Sequence, residues 1–268
     1  MTTLQAHPVM NFYGFVRMPF DKDFEIAEAF TSPSLANAVS MLALGVESED
    51  ILLISGPIGS GKSVALRSFI AALDPNRFMP LYLRGLGLSA ADLVKSALLS
   101  LLVEPPYNYA KARALYFKSI TEHSHKPVVV IDDAQDMKES ALLSVKNLVN
   151  FNADSKSKIT FVFCGQPELK ETLRYTRLSS VHQRIRHWVE FSGLSLKDTC
   201  EYIDHQVALA GRPSPVFSDN AKAEIHKRSL GIPRRINRVC LRPFSRAPLR
   251  PAQSSTAPTS YPTKCEQI

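Results

Sequence analysis

Residues 56–63 read Gly-Pro-Ile-Gly-Ser-Gly-Lys-Ser and match the pattern G-x-x-x-x-G-K-[ST] at every fixed position. An apolar run, Ile51 to Ser55, comes directly before the motif, and a helical pattern, Lys62 to Leu73, begins within it. Glycines let a loop between a strand and a helix wrap around phosphate oxygens with its backbone N–H groups. The motif therefore predicts a nucleotide-binding loop formed by Gly56, Pro57, Ile58, Gly59, Ser60, Gly61, Lys62 and Ser63.

Two side chains of this loop have expected roles in phosphate chemistry. The N-terminus of the helix that starts at Lys62 favours anions. The Lys62 ammonium is expected to reach the β- and γ-phosphates, and the Ser63 hydroxyl is expected to bind Mg²⁺. ATP and Mg²⁺ are therefore the predicted cofactors.

Short apolar runs alternate with helical patterns along the chain. Over Ser89 to Val103 the apolar residues recur on one helical face, and Ser89 and Asp92 have the spacing of a capping box. Apolar strands separated by helices indicate a parallel sheet that is covered on both faces. We predict an α/β P-loop NTPase fold with five parallel strands, namely Ile51 to Ser55, Met79 to Leu83, Val128 to Asp132, Ile159 to Cys164 and His187 to Phe191.

The third predicted strand ends in two carboxylates, Asp132 and Asp133. Because parallel strands end at the same edge of a sheet, we expect both side chains to lie beside the phosphate loop. Asp132 is expected to bind Mg²⁺ through water, and Asp133 is expected to orient the water that attacks the γ-phosphate.

Polar and basic residues at other predicted strand ends are further candidates. Gln166 follows the fourth strand and is placed to sense the γ-phosphate, although the Gln-Pro-Glu sequence there is also typical of a helix start. Arg184 and Arg186 precede the last strand, and Arg234 and Arg235 follow a Gly-Ile-Pro sequence. Guanidinium groups suit a transferring phosphoryl group, whereas either pair alone also fits a solvated basic surface.

The patterns divide the chain into four segments. Residues 1–50 are expected to form an N-terminal segment with a linker helix, residues 51–192 the P-loop ATPase core, and residues 193–241 a lid of three helices. Residues 242–268 are rich in Pro, Ser and Thr, and their prolines disfavour a regular helix. We expect this last segment to be a disordered basic tail.

Composition indicates the kind of partner and the compartment. The 268 residues include 32 Lys plus Arg and 25 Asp plus Glu, and the net charge of +7 favours an anionic partner. The four cysteines are widely spaced, without the pairs typical of zinc sites or disulfide frameworks, which indicates a reducing cytoplasm. No apolar stretch approaches the ~20 residues of a membrane helix, so we expect no membrane span.

A linked series of short motifs runs through the chain. Besides the phosphate loop, it comprises Phe12 to Phe15 with Pro19 and Phe20, Ile131 to Gln135, Gly165 to Leu169, Gln183 to Ile185, and Gly231 to Asn237. Over residues 10–240 this series resembles the AAA+ ATPases. More narrowly, it is similar to the ExeA-type (general secretion pathway protein A) family and to the related transposition helper ATPases of the TniB, TnsC and IstB kind.

The resemblance implies roles for individual residues. Residues 56–63 correspond to Walker A and Asp132 to the Walker B aspartate. Gln166 corresponds to sensor 1, Arg184 to an arginine finger that acts on a neighbouring copy, and Arg234 to sensor 2. The front segment that contains Phe12 is implied to lie near the nucleotide base.

The chain departs from the family pattern at two places. The family usually has Asp-Glu where this chain has Asp132 and Asp133, and the shorter side chain predicts slow hydrolysis, because misplacement by about 1 Å can cost about 10²-fold in rate. The resemblance also stops near Cys240, where the family continues its lid with further helix.

The resemblance leaves three functions open. The leading expectation is a cytoplasmic transposition helper that assembles as a homo-oligomer on double-stranded DNA and recruits or activates a transposase. The alternatives are an ATPase of secretion-system assembly and a nucleotide switch that does not hydrolyse ATP. The candidate DNA contacts are Arg84, Lys95, Arg242, Arg246 and Arg250.

Overall fold

The computed structural model describes residues 8–21, 24–48, 51–149 and 158–245. Its strands are β1 (Ile51–Ser55), β2 (Phe78–Arg84), β3 (Lys126–Asp132), β4 (Thr160–Gly165) and β5 (Ile185–Glu190). Its α-helices are α1 (Pro8–Tyr13), α2 (Pro33–Ser48), α3 (Lys62–Ala72), α4 (Ala90–Ser100), α5 (Tyr109–Glu122), α6 (Glu139–Val149), α7 (Pro167–Leu173), α8 (Ser179–His182), α9 (Leu196–Leu209), α10 (Asp219–Ser229) and α11 (Pro233–Ser245). Short 3₁₀ helices cover Ile26–Glu28, Ala134–Asp136 and Thr176–Leu178.

The five strands form one parallel sheet in the order β2-β3-β4-β1-β5. All five predicted strands are present, with ends that shift by one or two residues in four of them, so the predicted α/β P-loop fold is confirmed. Helix α4 also begins as predicted: the Asp92 backbone N–H donates to Ser89 Oγ, and the Ser89 backbone N–H donates to the Asp92 carboxylate.

Helices bury both faces of this sheet. Along β1, the side chains of Ile51 and Leu53 pack in a core with α4, α5 and α6, whereas Leu52 and Ile54 pack in a second core with α2 and α3. Because successive strand residues point to opposite faces, a strand covered on both sides is apolar at every position. This explains why β1, β3 and β4 read as continuous apolar runs.

The chain forms two compact units. Pro33–Phe191 is the sheet unit, and Met1–Ser32 together with Ser192–Ile268 is the helical unit. This division differs from the expected one, because residues 1–50 are divided between the two units. Helix α2 belongs to the sheet unit, where Leu42 and Val46 are fully buried in the core beside α3.

Specific contacts join the front segment to the C-terminal helices within the helical unit. The Arg17 guanidinium donates to both carboxylate oxygens of Glu28, at 3.0 and 2.9 Å, and also to the Leu209 carbonyl. Phe15 and Phe20 are buried in the core that α9, α10 and α11 share. The front segment is therefore structurally part of the helical unit, which the sequence pattern did not indicate.

The last helix corrects one expectation about the tail. Regular helix was not expected from residue 242 onward, but α11 continues to Ser245 and includes Pro243. Proline lacks the N–H group that donates a helix hydrogen bond. Near the C-terminus of a helix the cost is small, because few hydrogen bonds follow the proline. The rest of the expected disordered tail, with Arg246, Arg250 and the fourth cysteine, lies outside the described residues.

The described residues include three of the four cysteines and allow a search for membrane helices. Cys164, Cys200 and Cys240 are free thiols. Within the described part of the chain, no helix combines the length and apolar character that crossing a membrane requires.

Candidate nucleotide-binding site

The sheet brings the candidate residues of three strands to one edge. The phosphate loop follows β1, Asp132 ends β3, and Gln166 follows β4. Strand β4 lies between β1 and β3, and the Gly56 backbone N–H donates to the Gly165 carbonyl at 3.3 Å. The predicted neighbourhood of loop, acidic pair and polar residue is therefore present in the sheet unit.

The phosphate loop depends on glycine at two kinds of position. Gly59 and Gly61 have φ of 82° and 105°, which L side chains rarely adopt. At Gly56 a Cβ atom would lie 2.6 Å from the Phe191 carbonyl oxygen, so a side chain there would displace backbone. Gly61 directly precedes α3, whose first N–H groups have no partner within the helix. The loop thus directs backbone donors to its concave side.

The side chains of the loop fit a phosphate ligand. Ser60 Oγ is buried and has no hydrogen-bond partner among the described residues, which is costly for a hydroxyl unless a ligand or water completes it. Lys62 Nζ donates to the Gly56 and Pro57 carbonyls at 2.7 and 3.0 Å, so the ammonium lies over the loop. Ser63 is exposed on the first turn of α3. A nucleotide phosphate would meet Ser60, Lys62 and Ser63 here.

Three neighbours fix the carboxylate of Asp132. The Tyr82 hydroxyl donates to Asp132 Oδ2 at 2.6 Å, and the Asp133 backbone N–H donates to Oδ1 at 3.0 Å. The buried Cys164 thiol also lies against it, and burial together with this carboxylate raises the pKa of Cys164. Burial and the bond to Asp132 likewise raise the pKa of Tyr82, so Tyr82 stays a donor at neutral pH. An oriented carboxylate of this kind suits a hydrated Mg²⁺.

Asp133 adopts an unusual backbone conformation. Its φ is 52° and its ψ is 43°, in the left-handed region that Asp tolerates better than most residues. Gly85 packs directly on it, because a Cβ on Gly85 would lie 2.4 Å from the Asp133 carbonyl oxygen. The Asp133 carboxylate is exposed and accepts from Gln135 Nε2 at 3.3 Å. Asp133 is thus held at the edge of the sheet by its backbone and remains accessible to water.

Gln166 adopts one of the two roles that the sequence left open, the start of a helix. It precedes α7, with Pro167 as the first helical residue, so it starts a helix. Its backbone N–H donates to Gln135 Oε1 at 3.1 Å, and the same Gln135 amide donates to Asp133. One side chain therefore links the acidic pair to the end of β4, and a sensing role for Gln166 remains a proposal.

The two candidate arginines belong to different units, Arg184 to the sheet unit and Arg234 to the helical unit. Arg184 directly precedes β5, whose Ile185 pairs with Ile51 at the start of β1, so it lies at the opposite end of the sheet. The five residues of β1 separate the two edges by about 16 Å at about 3.3 Å per residue. Arg234 lies in the helical unit, exposed on the first turn of α11. A cation is unfavourable at a helix N-terminus unless an anion binds there.

Two functional candidates were missed by sequence reasoning. Tyr82 reads as an ordinary strand residue, and only the pairing of β2 with β3 brings its hydroxyl to Asp132. Gln135 was noticed only as part of a family motif. Tyr82 reaches Asp132 through tertiary packing, and so does Gln135, two residues after Asp133, when it contacts Gln166. A single sequence carries no signal for such contacts.

We expect Tyr82→Phe to raise the Mg²⁺ concentration needed for half-maximal ATP binding by about tenfold, because groups that orient metal ligands typically contribute 10- to 100-fold to metal affinity. Mg²⁺ titrations of a fluorescent ATP analogue would measure this, with Tyr175→Phe, an exposed tyrosine, as the matched control. Affinity in excess chelator should stay unchanged. Identical Mg²⁺ curves for both variants would show that Tyr82 does not position Asp132.

The parallel sheet, the glycine loop between β1 and α3 and the acidic pair after β3 define a P-loop nucleotide-binding protein. The AAA domain family matches residues 46–173. General secretion pathway protein A of Aeromonas hydrophila is 28% identical over 237 residues, which cover 85% of this chain and 43% of that protein. The chain is therefore similar to general secretion pathway protein A in sequence, and it spans less than half of that relative's length.

Several solved structures share the fold. Cdc6p from Pyrobaculum aerophilum has a TM-score of 0.67 at 16% identity, covering 84% of this chain and 64% of its own. The Aeropyrum pernix ORC2 protein, in ADPNP and ADP complexes, has a TM-score of 0.63 at 13% identity and covers 82% and 64%. The ORC1 protein of the same organism, in complex with DNA, has a TM-score of 0.57 at 14% identity and covers 81% and 61%.

Proposed function

We propose that this chain binds ATP with Mg²⁺ and hydrolyses it, releasing the γ-phosphate. The observation that carries the proposal is the arrangement at one edge of the sheet, where a complete phosphate loop faces the oriented carboxylate of Asp132 and the accessible carboxylate of Asp133. Lys62 would bind phosphate oxygens, and Ser63 with Asp132 would hold Mg²⁺, which neutralises charge on the phosphates when bound.

Asp133 is the proposed residue for water activation. Its carboxylate is solvent-accessible and has no arginine or lysine partner among the described ion pairs, so it is available as a base. Gln135 holds one carboxylate oxygen and also contacts the end of β4. We propose that this link lets Gln166 and Asp133 respond together to the γ-phosphate.

The position of Arg184 supports action on a neighbouring copy. Because Arg184 lies at the edge of the sheet opposite the phosphate loop, it does not reach the nucleotide of its own protomer. A role in hydrolysis requires that a second copy place its phosphate loop against this edge. We therefore propose a homo-oligomer, either a ring or a filament.

Assembly should depend on ATP. With a slowly hydrolysed ATP analogue we expect light scattering to show a mass of several protomers, and Arg184→Ala should hydrolyse ATP more slowly by about 10³-fold, as for other arginine fingers. Arg177→Ala, an exposed arginine beside Glu139, is the matched control. A strict monomer at tens of micromolar, with and without duplex DNA, would contradict action in trans.

For the biological role we propose a cytoplasmic transposition helper that assembles on DNA and engages a transposase. The net charge of +7 supports this role, as does the resemblance of the sequence motifs to those of the transposition helper ATPases. Fold relatives include an ORC1 protein whose structure is a complex with DNA. Arg84 at the end of β2 and Arg242 on α11 are exposed. Lys95 Nζ lies 5.7 Å from the centroid of the Tyr107 ring. All three remain candidate DNA contacts.

A second candidate function is secretion-system assembly. The 28% identity to general secretion pathway protein A favours it. A transposase gene beside the coding gene would support the first role, and secretion genes would support the second. A third possibility, a switch without hydrolysis, is tested by the Asp133 variants described below.

A further inference from the structure

Helix α11 carries basic residues along one exposed face. Arg235, Arg238 and Arg242 are all exposed, whereas Ile236 and Cys240 are fully buried in the core of the helical unit. At about 100° per residue, the three arginines fall within an arc of about 60°, opposite the buried positions. We call these three side chains the arginine face.

The size of the arginine face suits an extended polyanion. Arg235 and Arg242 are seven residues apart, which corresponds to about 10 Å along the helix axis at about 1.5 Å per residue. One strand of duplex DNA carries about one negative charge per 3.4 Å of the helix axis, so this length spans about three phosphates of one backbone. Three guanidinium groups spaced along the helix can therefore contact successive phosphates of one backbone.

Two residues of the arginine face, Arg235 and Arg238, have no carboxylate partner among the described ion pairs. Helix α11 itself contains no acidic residue. Arg235 also lies in the first helical turn, where the helix dipole disfavours a cation. An anionic partner would relieve both unfavourable features.

The chemistry of the arginine face favours nucleic acid over a lipid surface. Helices that bind in a membrane interface insert apolar side chains, but the apolar residues Ile236 and Cys240 of α11 are occupied in the core. Arginine binds phosphate through a planar set of donors. The face offers phosphate contacts without an accompanying apolar edge.

We infer that the arginine face binds the phosphate backbone of duplex DNA without reading its sequence. This inference rests on the proposed assembly on DNA and names the surface that makes the contact. Arg234 is left out of the face, because it corresponds to sensor 2 in the family resemblance. Contacts to phosphates position a protein on DNA and carry no base information.

The test compares two variants with equal loss of charge. One replaces Arg235, Arg238 and Arg242 with glutamine, and the control replaces Lys111, Lys118 and Arg174, which are exposed basic residues of the sheet unit. Fluorescence anisotropy on unrelated duplexes, with a slowly hydrolysed ATP analogue and at several salt concentrations, gives affinity and salt dependence. ATP-analogue affinity checks that each variant is folded.

The arginine-face variant should bind DNA at least about tenfold more weakly than the control. Its slope of log affinity against log salt should be shallower by about 2 to 3, since each phosphate contact contributes about 0.9. Equal DNA affinity of both variants would overturn the arginine face and leave assembly on DNA intact. Wild-type protein that binds no DNA at low salt would refute both proposals. Loss of binding to anionic vesicles alone would instead assign the face to lipid.

Discussion

Lys62→Ala is expected to lower the affinity for ATP by at least about 100-fold. Hydrogen bonds to charged groups contribute about 1.5–3 kcal/mol each, and Lys62 is expected to contact two phosphates. About 1.4 kcal/mol corresponds to a tenfold change in binding. Equilibrium titration with a fluorescent ATP analogue in Mg²⁺ would measure the loss.

The fold should survive this substitution. The ammonium of Lys62 contacts the carbonyls of Gly56, which is buried, and Pro57, which is half-buried, and it packs in no hydrophobic core of the described residues. Lys118→Ala, which removes an exposed lysine of α5, is the matched control for charge. Thermal unfolding should show a small shift for both variants. Unchanged ATP affinity in a folded Lys62→Ala protein would mean that residues 56–63 do not bind nucleotide.

Asp133→Asn is expected to slow ATP hydrolysis by about 10²-fold or more, because general-base catalysis typically contributes 10²–10⁴-fold and an amide is a poor base. Affinity for ATP should change little, since Asp133 is not expected to hold phosphate or Mg²⁺. Steady-state phosphate release measures the rate. Asp136→Asn is the matched control, because Gln135 contacts its carboxylate in the same way, at 3.2 Å.

Asp133→Glu should leave hydrolysis unchanged or raise it. The longer side chain restores the reach that the family usually has, while the left-handed backbone at this position suits Asp better than Glu. A small loss in thermal stability is therefore expected with the gain in reach. If Asp133→Asn hydrolyses ATP as fast as wild type, Asp133 has no part in the reaction. Wild-type protein that binds ATP and releases no phosphate would instead support the switch without hydrolysis.

Local sequence patterns were sufficient to predict most of the secondary structure. The three central strands, β1, β3 and β4, were predicted because burial on both faces requires apolar residues at consecutive positions, as in Val128 to Ile131. The start of α4 was predicted because Ser89 and Asp92 satisfy one another over three residues. These signals lie within a few residues of one another, so a single sequence contains them.

Long-range contacts were outside the reach of these patterns. Tyr82 and Asp132 are 50 residues apart, and Arg17 and Leu209 are 192 residues apart, yet both pairs are joined by hydrogen bonds. Neither pair has a spacing that a periodic pattern would reveal. Consequently the orientation of the Asp132 carboxylate and the membership of the front segment in the helical unit became visible only in the structure.

The sequence by itself determined the class of the protein, because a phosphate loop needs glycines and a lysine at fixed spacing and these residues are local. It also determined that Asp132 and Asp133 end a strand. The tertiary structure alone decided which side chains surround that acidic pair and where α11 exposes its arginines. The physical reason is that strand order and packing bring together residues that are distant in the chain, and their contacts depend on the whole fold.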